Sequence, residues 1–325
     1  MSFFYFDKYD TESVKALFSV REGEGKIGQK IEVYSKETDL KGKFVILGVA
    51  EDVGPRANLG FAGADTGFNA FVTRFLNVQS NRFLDGSEVV LFGVVRCKDF
   101  VETTKDVLDL RKVVEQLDVF LQDILHGIFQ SGGIPIVIGG GHNNAYPIIK
   151  AYSIVNQKKI DVLNIDPHAD FRKLEGRHSG NSFSYGMHEG YIGKYSILGL
   201  HESYNSESML KDLEKSGVEF TFFEDYIDER ETFFQDLFKF QNKNIGLEID
   251  MDAIKQMPSS AYTPSGFSVE EVRRAIRFLA SNSNVLYLHL PEAAPQNERE
   301  ATFVGKVIAY LVTDFIKKYS KTKVS

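Results

Sequence analysis

Cysteine is nearly absent from this 325-residue chain, Cys97 being the only one. That excludes an intramolecular disulfide and a thiolate zinc site, so any metal must be held by His, Asp or Glu. No apolar stretch approaches the roughly 20 residues that span a bilayer. The segment Met1 to Arg21 carries Asp7, Lys8, Asp10 and Glu12 among its aromatics. It therefore lacks the basic start and unbroken apolar run of a signal peptide, and a cytoplasmic location is the expectation. Clusters of Lys and Arg interleaved with aromatics are also missing. With 38 basic against 45 acidic residues the net charge is −7, which leaves no electrostatic footprint for nucleic acid or an anionic membrane. Small-molecule chemistry is the better expectation. Pro/Ser linkers and low-complexity tracts are absent too, so we read residues 41–325 as one domain and residues 1–40 as an N-terminal extension packed on it.

What is present is alternation. Short β-branched apolar runs near Phe44–Ala50, Val89–Val95, Ile134–Gly139, Ile160–Ile165, Tyr195–Leu200, Val218–Phe223, Asn244–Asp250 and Val285–Leu290 alternate with segments of helical period. This is the pattern of βαβ units on a parallel sheet. Val107–Phe129, Ser206–Ser216 and Ala301–Tyr319 are predicted helices, and Ser268 with Glu271 forms a capping box before another at Val269–Leu279. Eight such units fit either an open doubly wound sheet or a closed barrel. In both, chemistry belongs at the C-terminal ends of the strands. Gly23–Gly28 has the letters of a dinucleotide fingerprint, but an extended segment follows it where a helix is required, which argues against nucleotide binding.

Three strand ends are rich in metal-binding side chains: Gly140-Gly141-His142-Asn143-Asn144, Asp166-Pro167-His168-Ala169-Asp170 and Asp250-Met251-Asp252. In extended backbone, Asp166, His168 and Asp170 share a face, as do Asp250 and Asp252. Taken alone, an Asp-x-Asp is usually a cap and a single His a packed residue. Together, four carboxylates and two imidazoles exceed what one divalent ion takes, which argues for a pair. Oxygen-rich ligands with some imidazole suit Mn²⁺, with Zn²⁺, Fe²⁺ and Co²⁺ as alternatives. Gly139 to Gly141 provide the sharp turn before His142. His126 and His289, within predicted helix and strand, are read as packing residues.

The ordered set, with Tyr262-Thr263-Pro264-Ser265-Gly266-Phe267 and Pro291-Glu292-Ala293-Ala294-Pro295 downstream, resembles the ureohydrolase superfamily of arginases, agmatinases and formimidoylglutamases. The resemblance runs from about Val45 to the C-terminal helix. It implies a three-layer α/β/α arginase-like fold around an eight-stranded, mostly parallel sheet. It also implies two Mn²⁺ per chain, one held by His142, Asp166, Asp170 and Asp250, the other by His168, Asp166, Asp250 and Asp252. The implied reaction is attack of a metal-bridging hydroxide on an amidine carbon, with Asp170 relaying the proton and Glu292 pairing with the amidinium. A homo-oligomer is implied as well.

Gly141 before His142, where arginases and agmatinases usually have Asp, points to the formimidoylglutamase branch and to N-formimidoyl-L-glutamate. The loop Phe171–Asn181 carries Arg172, Lys173 and Arg177 against Glu175 alone, a balance suited to an anionic tail. Arg56, Asn58, Arg172, Arg177 and Asn181 are therefore the expected substrate-binding residues. The chain departs from the arginase pattern after Ser179-Gly180-Asn181, where Ser182-Phe183-Ser184 replaces a histidine, and His178 precedes the motif. Glu248 stands where the family usually has Ser, on the same face as Asp250, and is expected to support the ligands. The alternatives are a urea-releasing guanidino hydrolase and a noncatalytic metal-binding scaffold.

Overall fold

Strand Phe44–Ala50 shows how the layers arise. Every residue in it is buried. Phe44, Ile46 and Ala50 enter one apolar cluster while Val45, Leu47 and Val49 enter another on the opposite face. Period-2 alternation with both faces apolar is the mark of a strand covered on two sides. In the computed structural model, which describes residues 3–98 and 103–323, the first cluster is closed by helices Gly67–Leu76, Val269–Asn282 and Glu298–Lys323. The second is closed by helices Val107–Gln130 and Ala145–Asn156. The result is the α/β/α sandwich, with an open sheet.

The local signals place the helices. Asp106 caps Val107–Gln130 by accepting the Asp109 N–H, and Leu110, Val114, Leu117 and Leu121 are buried along its inner stripe. Ser268 and Glu271 form the reciprocal capping box. Gly23–Gly28 runs into a single turn, Ile27–Gln29, and then into an extended pair of residues, as its sequence requires.

Among the described residues the sheet has ten strands where eight were expected. They are β1 (Phe4–Asp7), β2 (Glu32–Val33), β3 (Phe44–Ala50), β4 (Val89–Cys97), β5 (Ile134–Ile138), β6 (Ile160–Ile165), β7 (Ile192–Leu200), β8 (Glu219–Phe222), β9 (Asn244–Ile249) and β10 (Asn284–Leu290). The two additional strands come from the N-terminal segment. β1 pairs antiparallel with β4 through Phe4 opposite Cys97, and β2 pairs parallel with it through Glu32 opposite Val90. Both strands cover the outer edge of β4, which would otherwise expose unpaired backbone groups. The order is β1-β4-β3-β5-β10-β9-β6-β7-β8. It sets β5, β10, β9 and β6 side by side. Among the described residues no helix is long and apolar enough to cross a membrane.

Candidate metal centre

Each of the four adjacent strands delivers one part of the site at its C-terminal end. β5 leads into Gly139 and Gly140, both at positive φ (86° and 70°). A Cβ on Gly140 would lie 2.4 Å from Asn144 Nδ2 and 2.7 Å from Glu51 Oε1, so only glycine fits this turn. Glu51, just past the end of β3 and buried, fixes the turn. Its Oε1 accepts the Gly141 N–H (2.8 Å) and the Asn144 amide (2.8 Å), and Oε2 accepts the Gly54 N–H (3.0 Å). Sequence reasoning missed Glu51, although a carboxylate directly after a fully apolar strand is the signal that could have found it.

His142, completely buried, follows the turn. Its Nδ1 lies 2.9 Å from Asp170 Oδ2, 3.0 Å from Asp250 Oδ2 and 3.2 Å from Asp166 Oδ2. One ligand atom from each of these four residues falls within 4.8 Å of the others. Asp166 is steadied by Asn164 Nδ2 (2.9 Å), which also reaches the Tyr195 hydroxyl (3.1 Å). Asp250 Oδ1 accepts the Asp252 N–H at 2.6 Å. The other half of the cluster is looser. His168 Nδ1 is 3.6 Å from Asp166 Oδ1 and 3.8 Å from Asp252 Oδ2, and its side chain is 30% exposed. The His168 ring stacks on Tyr204, 5.4 Å between centroids. The structure thus brings all six expected ligands to one place.

The electrostatics of this donor set call for cations. Burial pushes the Asp250 carboxyl well above the usual carboxylate range, and the charges of Asp252 and Asp166 push it further. Asp170 and Asp252 are raised as well, by burial first. Burial opposes a charge on His142, yet the contacts with Asp166, Asp170, Asp250 and Glu248 overcome it and hold the proton well above the usual imidazole range. His168 is raised in the same way, to about 10, where Asp166 outweighs burial. Protons here do what divalent ions do better, offsetting four buried carboxylates, and ligands of this kind give up those protons on metal binding. Asp170 (φ 46°) and Glu292 (φ 68°) hold left-handed backbone without being glycine, strain of the kind that surrounding structure maintains at functional sites.

Glu292 follows β10. Its Oε1 accepts the His142 N–H at 2.7 Å and its Oε2 accepts the Ser260 hydroxyl. Burial, then the Asp252 charge, raise its carboxyl to about 8. Together with His168, Asp170, Asp250 and Asp252 it lines a cavity of about 450 Å³ that opens past Asn58, Arg172, Lys173 and Ser179.

The expected substrate-binding residues divide. Asn58 and Arg172 stand on the cavity wall. Arg177 does not. It is buried, with Nε bound to Asp118 Oδ2 (2.8 Å), Nη2 to the Asn143 carbonyl (2.9 Å) and the guanidinium over the rings of Tyr146 and Tyr185. Asn181 turns inward with it, bonding Arg177 Nη1 and the Gly176 carbonyl. Arg56 pairs with Asp52 (3.2 Å) and the Thr104 carbonyl, off the cavity. A guanidinium within reach of a buried carboxylate is held there in preference to a solvated loop, and Asp118 lies 59 positions away from Arg177, beyond any local reading. His178 is likewise structural: Nδ1 accepts the Gly180 N–H (3.1 Å), and burial with the charges of Arg111 and Arg177 lowers its pKa to about 3.

A curated relative, formimidoylglutamase of Macrococcus caseolyticus, is 27% identical over 298 residues, covering 87% of this chain and 89% of the relative. Among solved structures, formimidoylglutamase from Bacillus subtilis superposes with a TM-score of 0.74 at 17% identity, covering 93% of this chain and 94% of that one. Formiminoglutamase from Trypanosoma cruzi with Mn²⁺ superposes with a TM-score of 0.73 at 21% identity, covering 91% and 99%. At these identities the two structures establish the fold. The Arginase family model matches residues 42–316, most of the chain, and on that match the chain belongs to the arginase family.

Proposed function

We propose that the chain is a binuclear manganese amidinohydrolase that converts N-formimidoyl-L-glutamate and water to L-glutamate and formamide. The observation that carries this reading is the buried His/Asp cluster beside a cavity whose lining includes both Glu292 and Arg172. Family membership and the printed names of the relatives support it.

His142, Asp166, Asp170 and Asp250 would hold one ion and His168, Asp166, Asp250 and Asp252 the other, with Asp166 and Asp250 shared. Bound ions of this kind supply a water acidified toward neutrality. The chain's own residues do the rest. Glu292, fixed by the His142 N–H and the Ser260 hydroxyl, accepts the amidinium N–H groups and holds the planar carbon over the cluster. Asp170 passes a proton to the departing amine, so that addition of water and cleavage of the C–N bond yield a neutral amine and formamide. Arg172, Lys173 and Asn58 receive the carboxylates of the glutamate tail, the role that Arg56, Arg177 and Asn181 are turned away from.

The same reading takes residues 41–325 as one catalytic domain with residues 1–40 packed on it, assembling as a homo-oligomer in the cytoplasm. Limited proteolysis and light scattering test the first two statements. The decisive experiment incubates Mn²⁺-loaded protein with formimidoylglutamate, arginine, agmatine, guanidinobutyrate and guanidine. Formamide and glutamate from the first substrate alone are expected, with about two ions per chain by metal analysis. Urea from any guanidino compound, without formamide, would overturn the substrate. Two bound ions with no turnover of any of them would leave a metal-binding scaffold.

A further inference from the structure

Central strands of a two-sided parallel sheet should be apolar throughout. Here one row is polar. Asn164 on β6, Glu248 on β9 and His289 on β10 stand opposite one another in register, and each is fully buried. Glu248 is the hub. Its Oε1 accepts the Tyr287 hydroxyl at 2.6 Å and its Oε2 lies 2.6 Å from His289 Nδ1. Gly246, opposite Tyr287, leaves room for that tyrosine: a Cβ there would lie 2.5 Å from its ring. On the remaining side Glu248 Oε2 is 3.3 Å from His142 Nε2, the ring atom facing away from Asp166, Asp170 and Asp250; the contact is within ion-pair range but not aligned as a hydrogen bond, so the buried Nε2 has a carboxylate beside it and no hydrogen-bond partner in the metal-free form. The His142 ring is bounded further by Phe183, perpendicular to it at 5.2 Å, and by His289 at 5.8 Å.

A carboxylate, a tyrosine and a second histidine buried beneath the ligands cost desolvation, and they stabilise little that three apolar side chains would not. What they do supply is orientation. An imidazole that is to give Nδ1 to a cation must carry its proton on Nε2, and an acceptor fixed at Nε2 selects that tautomer and ring angle.

We propose that Glu248, held in place by Tyr287 and His289, is a positioning residue for His142 and sets the affinity of one of the two metal ions. The inference rests on the binuclear reading above and assigns His289 a role in place of simple packing.

Calorimetric titration of metal-free protein with Mn²⁺ tests it, alongside the thermal stability of the metal-free form. The wild type is read first. Fewer than two ions per chain would overturn the binuclear reading itself, and this inference with it. Given two ions, Glu248→Gln is expected to weaken one of them about 10- to 100-fold, to leave the other within about threefold, and to keep the metal-free protein folded. Unchanged affinity at both sites would overturn the role of Glu248 and leave the metal centre intact. If Glu248→Gln does not fold, Tyr287→Phe, which removes only the hydroxyl that steadies Glu248, is expected to weaken the same ion by several-fold, and unchanged binding would again overturn the proposal.

Discussion

The two halves of the metal centre are built from the same residue types but to different tolerances. Around the fully buried His142 ring three carboxylate oxygens lie within 2.9–3.2 Å of one nitrogen. Around His168 the nearest carboxylates are at 3.6 and 3.8 Å, and the ring is partly exposed on the cavity wall. The difference follows from position. His142 sits behind a glycine turn locked by Glu51 and above the polar row on β9 and β10, so its ring has no other place to go. His168 is held from one side by Tyr204 and faces the cavity where substrate enters. The deep half is preassembled, and the shallow half keeps freedom.

Two pairs of substitutions and a pH profile would break or sharpen that contrast. The largest effect is expected from His142→Ala, which leaves buried carboxylates without their proton donor. It should lower metal-free stability by about 3–5 kcal/mol and reduce bound Mn²⁺ to one ion or none. His168→Ala should cost less, because its ion pairs are longer and its ring partly exposed, and should retain the deep ion. Denaturant melts and metal analysis measure both, and equal losses would end the distinction.

Next comes the loop that carries both an inward and an outward arginine. Arg177→Ala strands the buried Asp118 carboxylate and is expected to lower stability by about 3 kcal/mol with KM unchanged. Arg172→Ala is expected to raise KM for formimidoylglutamate by roughly 10- to 100-fold at unchanged Tm. Thermal melts with steady-state kinetics separate them, and a KM effect at Arg177 would contradict its placement.

The smallest effect concerns His178. Its folded pKa of about 3 lies below the usual imidazole value of 6.5. The folded state therefore binds fewer protons than the unfolded state between those values, and the stabilisation present above pH 6.5 is lost as pH falls. Between pH 7 and pH 5 the loss should be about 1–2 kcal/mol. Denaturant titrations in that window should show His178→Gln abolishing most of this slope.

Much of the site was legible because the residues that follow a strand are local to it: Asp166, His168 and Asp170 come directly after β6, and Asp250 and Asp252 after β9. The extended backbone expected there is replaced by turns, with Asp252 in the single turn Met251–Ala253 and Asp170 at φ 46°, so turn geometry and not strand alternation aims these side chains. The capping box at Ser268 and the inner stripe of Val107–Gln130 were readable because they too are local. Arg177 was expected on the substrate side because its loop's cationic balance suits an anionic tail, while its partner Asp118 belongs to a distant helix. His289 was read as packing because nothing local distinguishes an apolar neighbourhood from one containing Glu248 on the adjacent strand. β1 was not among the expected strands because four residues are too few to show a period, and β2, read as extended, was given no place in the sheet because two residues do not show what they pair with.

By itself, then, the sequence determined which residues follow the strands, how the strand residues themselves alternate and that carboxylates and imidazoles, in the near absence of cysteine, must do any metal chemistry. Only the tertiary structure decided that β5, β10, β9 and β6 are neighbours, so that His142, Asp166, Asp250 and Glu292, spread over 150 positions, meet at one site. Side-chain alternation is fixed by the backbone of a single strand. Strand order is fixed by how helices and sheet faces bury one another, and that is a property of the whole chain.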